Sequence, residues 1–225
     1  MISFYYCIGP NPMKVALFLE ESGVPYDAIP VDILKGEQLS PEFLRLNPNG
    51  KLPVVVDEGV TIFDSNAILL YLAEKYGKFL PGESFAARGT LLSWLMFVAT
   101  GLGPYSGQAV HFQHYAPEPK SYGVQRYVFE ARRHYGVLNN HLADREWMVG
   151  DTYTIVDMAV WGWCANIDRV LGVEARQDFP HLMRLVDRIG QRPAALAVHG
   201  LRERHAFKMQ FDEQARANMF QHLPA

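Results

Sequence analysis

The side chains in this chain that could carry chemistry lie at helix starts and beside a proline that opens a strand. Cys7 and Cys164 are the only thiols among 225 residues, too few for a disulfide scaffold. A thiol attacks only as its thiolate, and an unperturbed one ionises near pH ~8.5. Cys7 closes the first apolar run, where strand alternation turns it either toward a ligand or into the core; the sequence leaves both open. Cys164 sits in an apolar helical run and reads as core. Asn11 follows the first loop as a strong N-cap candidate, with Pro12 in the first helical position, where its missing N–H costs nothing. Asp64 and Ser65 stand at the start of a later helix, with Ser65 read as its cap. Eight histidines invite a metal reading. Yet His111 and His114 are three apart with no carboxylate in the same turn, and no Cys/His cluster has zinc spacing. No metal site is expected.

The stretch from Asn47 to Gly77 positions most of these groups. Val54–Val56 and Thr61–Phe63 are short β-branched runs, and Asp57-Glu58-Gly59 between them reads as a hairpin turn. Ile68, Leu69, Leu72 and Tyr76 then recur at helical spacing, and Gly77 stops the helix. Pro53 opens the first strand and cannot donate a ladder hydrogen bond. Leu52 is therefore left with a backbone edge open to another partner.

Ahead of that stretch, Ile2–Tyr6 reads as a strand. A helix follows with Val15, Ala16, Phe18 and Leu19 on its apolar face and Gly23 as its stop. Tyr26–Val31 is a second strand, reached by a right-handed crossover and so parallel to the first. A short helix runs from Ser40-Pro41 to about Leu46. The order β-α-β-α-β-β-α is the thioredoxin-like arrangement. Pro81-Gly82-Glu83-Ser84 punctuates the chain, dividing an α/β domain at 1–80 from an all-α domain at 85–225. In the latter, Arg88–Val98, Val124–Leu142, Pro180–Gln191 and Ala194–Phe207 are helical patterns. Thr154-Ile155-Val156-Asp157 has capping-box spacing ahead of the apolar Met158–Ala165. The tail after Phe211 has weak periodicity and is expected to be poorly ordered or to lie on the surface.

A 49% hydrophobic chain of this length can bury a full core. A net charge of −3 argues against broad binding to nucleic acid or membrane surfaces. No apolar run reaches the roughly 18 residues of a membrane span. The N-terminus lacks the basic start of a signal peptide and reads as strand at once. A cytoplasmic protein is expected.

The Lys51-Leu52-Pro53 string, the Asp64-Ser65 pair and the following Ala67-Ile68-Leu69-Leu70-Tyr71-Leu72 resemble the glutathione transferase superfamily. Gly9-Pro10-Asn11-Pro12-Met13-Lys14 and Gly101-Leu102-Gly103-Pro104-Tyr105-Ser106-Gly107-Gln108 narrow the resemblance to the Nu class and its prion-forming nitrogen-regulator relatives, over nearly the whole chain. The resemblance implies a cis Leu52–Pro53 bond, with the cysteinyl backbone of glutathione along Leu52. It places the γ-glutamyl carboxylate on Ser65 and the ammonium on Asp64. Gln38 and Lys51 serve the glycyl end, and Arg126, or Arg132 or Arg133, reaches across a homodimer. Where the class has threonine, this chain has Gly9, and the regulator relatives have alanine. Asn11 is then the candidate contact to the glutathione thiol, with Cys7 as the alternative nucleophile and Tyr5 or Tyr6 as less well placed hydroxyls. The implied activity is glutathione-dependent reduction of disulfides or hydroperoxides. Conjugation or dehalogenation of an electrophilic carbon, and a non-catalytic regulatory module, are the other readings. The implied partners are glutathione, a small-molecule disulfide, peroxide or electrophile, and a second copy of the chain, with neither nucleic acid nor membrane.

Overall fold

The computed structural model describes residues 1–117 and 121–221. Four strands form one sheet in the order β2-β1-β3-β4: β1 Ile2–Tyr6, β2 Tyr26–Pro30, β3 Val54–Asp57 and β4 Val60–Phe63. β1 pairs parallel with β2, Ile2 opposite Tyr26, and antiparallel with β3, Phe4 opposite Val55. Alternation along β1 sends Ile2, Phe4 and Tyr6 into the core and leaves Ser3 and Tyr5 half-buried. β3 and β4 are a tight hairpin in which Val54 faces Phe63 and Asp57 faces Val60. Glu58 and Gly59 both take positive φ, 51° and 83°, the conformation a two-residue turn needs between right-twisted strands.

Helix α1, Pro10–Ser22, connects β1 to β2, and α2, Pro41–Leu46, is capped by the Ser40 hydroxyl accepting from Phe43 N. Helix α3 is Ser65–Tyr76. The remaining helices are α4 Phe85–Phe97, α5 Gly103–His114, α6 Ser121–His141, α7 Ile155–Cys164, α8 Ile167–Leu171, α9 Pro180–Gly190, α10 Pro193–Arg204 and α11 Glu213–Met219. The fold is a thioredoxin-like α/β layer followed by a helical domain, as the element order implies.

Two compact units are present, Met1–Tyr71 together with the chain from Pro193 onward, and Leu72–Arg192. Their boundary falls inside α3 rather than at residues 81–84, and the chain after Arg192 groups with the first unit, where α10 packs against α1. The tail is a second departure from expectation. α11 forms there with the Asp212 carboxylate accepting from Ala215 N at 2.9 Å, and Ala215 is fully buried. A third concerns the apolar runs. α4, a π-helical stretch Val98–Leu102 and α5 make one continuous 30-residue helix, Phe85–His114, long and apolar enough to cross a membrane by length and composition alone. The expectation that no apolar run is long enough is thereby corrected: the Gly, Ser and Thr residues of this helix are only mildly polar.

The capping box forms with both halves in place. Thr154 Oγ1 accepts from Val156 N, and Asp157 Oδ2 accepts from Thr154 N at 2.8 Å. Asp157 Oδ1 takes Met148 N at 2.8 Å. Burial nevertheless dominates and pushes the Asp157 carboxyl up to about 6, against the hydrogen bonds that favour its charge. A carboxyl whose folded pKa lies above its unfolded one contributes stability that is present at low pH and lost as pH rises through the folded value. The stability of the wild type relative to Asp157→Asn should therefore narrow between pH ~4 and ~6 in urea titrations, and Thr154→Ala should cost about 1 kcal/mol. A difference that widens with pH would contradict the assignment.

Candidate functional site

The register of the β3–β4 hairpin brings the chemistry together. Because Val54 faces Phe63, the residues just before β3 and just after β4, Leu52-Pro53 and Asp64-Ser65, flank the same end of the sheet. The Leu52–Pro53 bond is cis. Leu52 packs its side chain against Val31, Phe43 and Val54, while no hydrogen bond from another described residue reaches its backbone. The loop before it is braced by Asn47, 2% exposed, whose Nδ2 donates to Lys51 O at 2.7 Å and whose Oδ1 accepts from Asn49 N. Lys51 itself is exposed.

The start of α3 corrects the expected cap. Asp64, not Ser65, is the capping residue: its Oδ1 accepts from Asn66 N at 2.9 Å and Ala67 N at 3.1 Å, and its carbonyl accepts from Ile68 N. It does so from the left-handed region, φ 68°, which Asp tolerates because its short carboxylate can bond locally. Ser65 becomes the first helical residue. It is 4% exposed, and its hydroxyl is held by no other described residue. Exposed carboxylate, hydroxyl and helix N-terminus together form a place where an ammonium and a carboxylate of one molecule can both be met.

α1 also starts earlier than expected. Gly9 is its N-cap, in extended backbone, and Pro10 is the first helical residue. Asn11 is therefore not the cap but a half-buried residue in the first turn. Two prolines in one first turn are tolerated because those N–H groups have no intrahelical acceptor. One turn on, Lys14 is 1% exposed and donates from Nζ to Asn66 Oδ1 at 2.8 Å, tying α1 to the start of α3. Burial pulls the Lys14 ammonium down to about 7, with the charge of Asp64 opposing.

Cys7 is 9% exposed, and burial, helped by the charge of Asp32, pushes its thiol up to about 12. Its own backbone contact and Lys51 act the other way and do not prevail. Cys164 is fully buried. The Tyr6 ring lies in the core, stacked on Phe4, with its hydroxyl against His205 Nδ1 at 2.6 Å and donating to Leu201 O. Tyr5 packs edge-on against Phe43.

Gln38 lies under the tail. It is 6% exposed; its Nε2 donates to Asn218 O at 3.3 Å, and its Oε1 is sealed without a partner among the described residues. Asn218 Nδ2 donates to Leu34 O, and a Cβ on Gly36 would lie 2.9 Å from the Asn218 side chain. Lys208 N is held by Asp32 Oδ2 at 2.6 Å. Arg126 belongs to the Leu72–Arg192 unit, on α6, where it pairs with Glu130 at 2.7 Å, beside Arg133 at 2.9 Å. The hydrogen bond from Arg133 is the main reason the Glu130 carboxyl sits below its usual range.

Asn66 and Asn218 were not singled out in the sequence, and Lys14 and Asn47 were named there only as ends of longer strings. Lys14 had a signal: it lies four residues before Phe18, on the apolar face of α1. Asn218 had none, since its role depends on a contact with Leu34, 184 positions away.

The comparisons with known proteins bear on this arrangement. A model of the glutathione S-transferase N-terminal domain matches residues 2–74, and one of the C-terminal domain matches residues 102–193. The disulfide-bond oxidoreductase YfcG of Escherichia coli (strain K12) is 42% identical over 206 residues, spanning 86% of this chain and 92% of that protein. A Burkholderia graminis glutathione transferase with two glutathione molecules bound per subunit superposes with a TM-score of 0.84 at 36% identity, covering 91% of this chain and 89% of its own. A Pseudomonas putida glutathione transferase with one glutathione disulfide bound per subunit gives 0.82 at 37%, covering 89% and 90%.

With both thiols buried, alkylation of the native protein near pH 8 should modify neither Cys7 nor Cys164, and both should react once the chain is unfolded. Intact-mass spectrometry reads the outcome, and rapid native modification of Cys7 would contradict its placement.

Proposed function

Because the chain belongs to the glutathione transferase family, we propose that it binds glutathione in its sheet-bearing unit and uses the peptide's thiol to reduce disulfides. The observation that carries this reading is the pairing of the Leu52 backbone edge with the Asp64-Ser65 turn at one end of the β3–β4 hairpin. Leu52 offers main-chain groups to the cysteinyl backbone, in the manner of an added strand. Ser65 and the first N–H groups of α3 meet the γ-glutamyl carboxylate, and Asp64 meets the ammonium. Lys51 faces solvent and serves the glycyl carboxylate.

Asn11 is the residue assigned to the thiol. It sits half-buried in the first turn of α1, where the helix dipole favours an anion. Shifting a thiol from about 8.5 to about 7 needs only ~2 kcal/mol of preference for the thiolate. An amide donor at a helix start can supply that without the hydroxyl that Gly9 lacks. Cys7 is the weaker assignment, because its own thiol is pushed the wrong way. Gln38 is left out of the contact set while its amide is given to Asn218, and Arg126 while it is paired with Glu130.

When bound, glutathione supplies the nucleophile, and overall two glutathiones and one disulfide become glutathione disulfide and two thiols. Hydroperoxides are the second oxidant class proposed. Two buried free cysteines suit a reducing compartment, in keeping with the cytoplasm. A homodimer is proposed from the exposed Phe85 and Met96 on α4 and Tyr122 and Phe129 on α6, apolar surface of the kind a second copy covers.

Turnover of a model disulfide, cumene hydroperoxide and a chloronitrobenzene by one purified sample tests the reading, with disulfide reduction expected to dominate. Ser65→Ala should weaken glutathione binding by about 1–2 kcal/mol in calorimetry; unchanged affinity would remove Ser65 from the site. Cys7→Ser should keep most disulfide turnover, while Asn11→Ala should lose roughly 1–3 kcal/mol in kcat/KM. The reverse ranking would make Cys7 the nucleophile.

A further inference from the structure

Lys14 is the group that the proposed mechanism leaves unused and that stability does not explain. Its ammonium is 1% exposed, and the acceptor it reaches, Asn66 Oδ1 at 2.8 Å, is neutral and itself on a residue 3% exposed. The opposite charge acting on it is Asp64, whose Oδ1 is occupied in capping α3. A buried ammonium so partnered is costly to desolvate, and an apolar side chain of similar length would often serve the core as well or better.

What the ammonium lies under is informative. Asn66, which it holds by the side chain, gives its backbone N–H to Asp64 Oδ1 at 2.9 Å. Ser65, with its unheld hydroxyl, is the residue between them. The chain of contacts Lys14–Asn66–Asp64 therefore passes through the first turn of α3, the place where the positive helix end and the Ser65 hydroxyl converge. Positive charge beneath a helix N-terminus adds to the field that attracts an anion there.

Resting on the reading above, we propose that Lys14 is a positioning residue for the γ-glutamyl carboxylate of glutathione, fixing the first turn of α3 through Asn66 and adding positive charge beneath it. The recognised chemistry is an α-amino acid head group, carboxylate and ammonium on one carbon, of which Lys14 serves the carboxylate. Its low ammonium pKa, about 7, accords with a charge kept in the core at a cost that an arriving carboxylate offsets.

The test uses the full-length chain, calorimetry and two peptides: glutathione, and 4-aminobutyryl-cysteinyl-glycine, which lacks that carboxylate. Lys14→Met is expected to melt at the wild-type temperature or above, to lose glutathione affinity by at least about tenfold, and to bind the carboxylate-free peptide as the wild type does. Should Lys14→Met fail to fold, Lys14→Gln, which can keep the Asn66 hydrogen bond without the charge, is read the same way. Wild-type-like glutathione affinity in the folded variant would overturn the proposal, as would equal loss for both peptides or a lower melting temperature with the loss. A wild-type protein that binds neither peptide would defeat the glutathione reading itself, a result distinct from any of these.

Discussion

The start of α3 is the constraint on which the site depends. A non-glycine residue in the left-handed region costs about 1–2 kcal/mol, and Asp64 stays there because its carboxylate answers the N–H groups of Asn66 and Ala67. That one bend sets where β4 ends, aims the N-terminus of α3, and leaves Ser65 with a buried hydroxyl at its first helical position. Lys14 Nζ donates to the side chain of Asn66, two residues past the bend. The β3–β4 register then places Leu52 alongside. The open Leu52 backbone edge and the Asp64-Ser65 turn are thus two consequences of a single hairpin.

Much of this was legible in the sequence because local chemistry and global fold agree. Alternation fixed β1, the Asp57-Glu58-Gly59 turn fixed the hairpin, and Thr154 with Asp157 announced their helix by spacing alone. Where two residues competed for one role, the local signal was weaker. Asp64 and Ser65 are both good caps, and the choice rests on a φ value that no pattern reports. Gly9 and Asn11 competed in the same way, and Pro10 decided for the earlier start. Neither shift moves a side chain out of its element, yet each changes its chemistry. Ser65 becomes the first residue of α3, and Asn11 lies inside the first turn of α1.

The rest was illegible for a different reason: it is made by distant contacts. The tail reads as nearly featureless, but Asp32 holds Lys208, and Asn218 reaches both Leu34 and Gln38. That packing also crowds Gly36, at φ 83°, where a Cβ would press on the Asn218 side chain. Lys14 is similar, since a lysine in a helix normally lies with its charge in water and only the fold shows it enclosed.

With Gly9 in place of a hydroxyl, the proposed chemistry requires that an amide at a helix start suffice to ionise a bound thiol. The ultraviolet absorbance of the thiolate, followed against pH with glutathione saturating the protein, tests it most directly. The account predicts that the bound thiol titrates clearly below its free value of about 8.5, and that Asn11→Ala moves it back up while Cys7→Ser does not. A bound thiol that titrates as it does in free solution, or one that Asn11→Ala leaves unmoved, would contradict it.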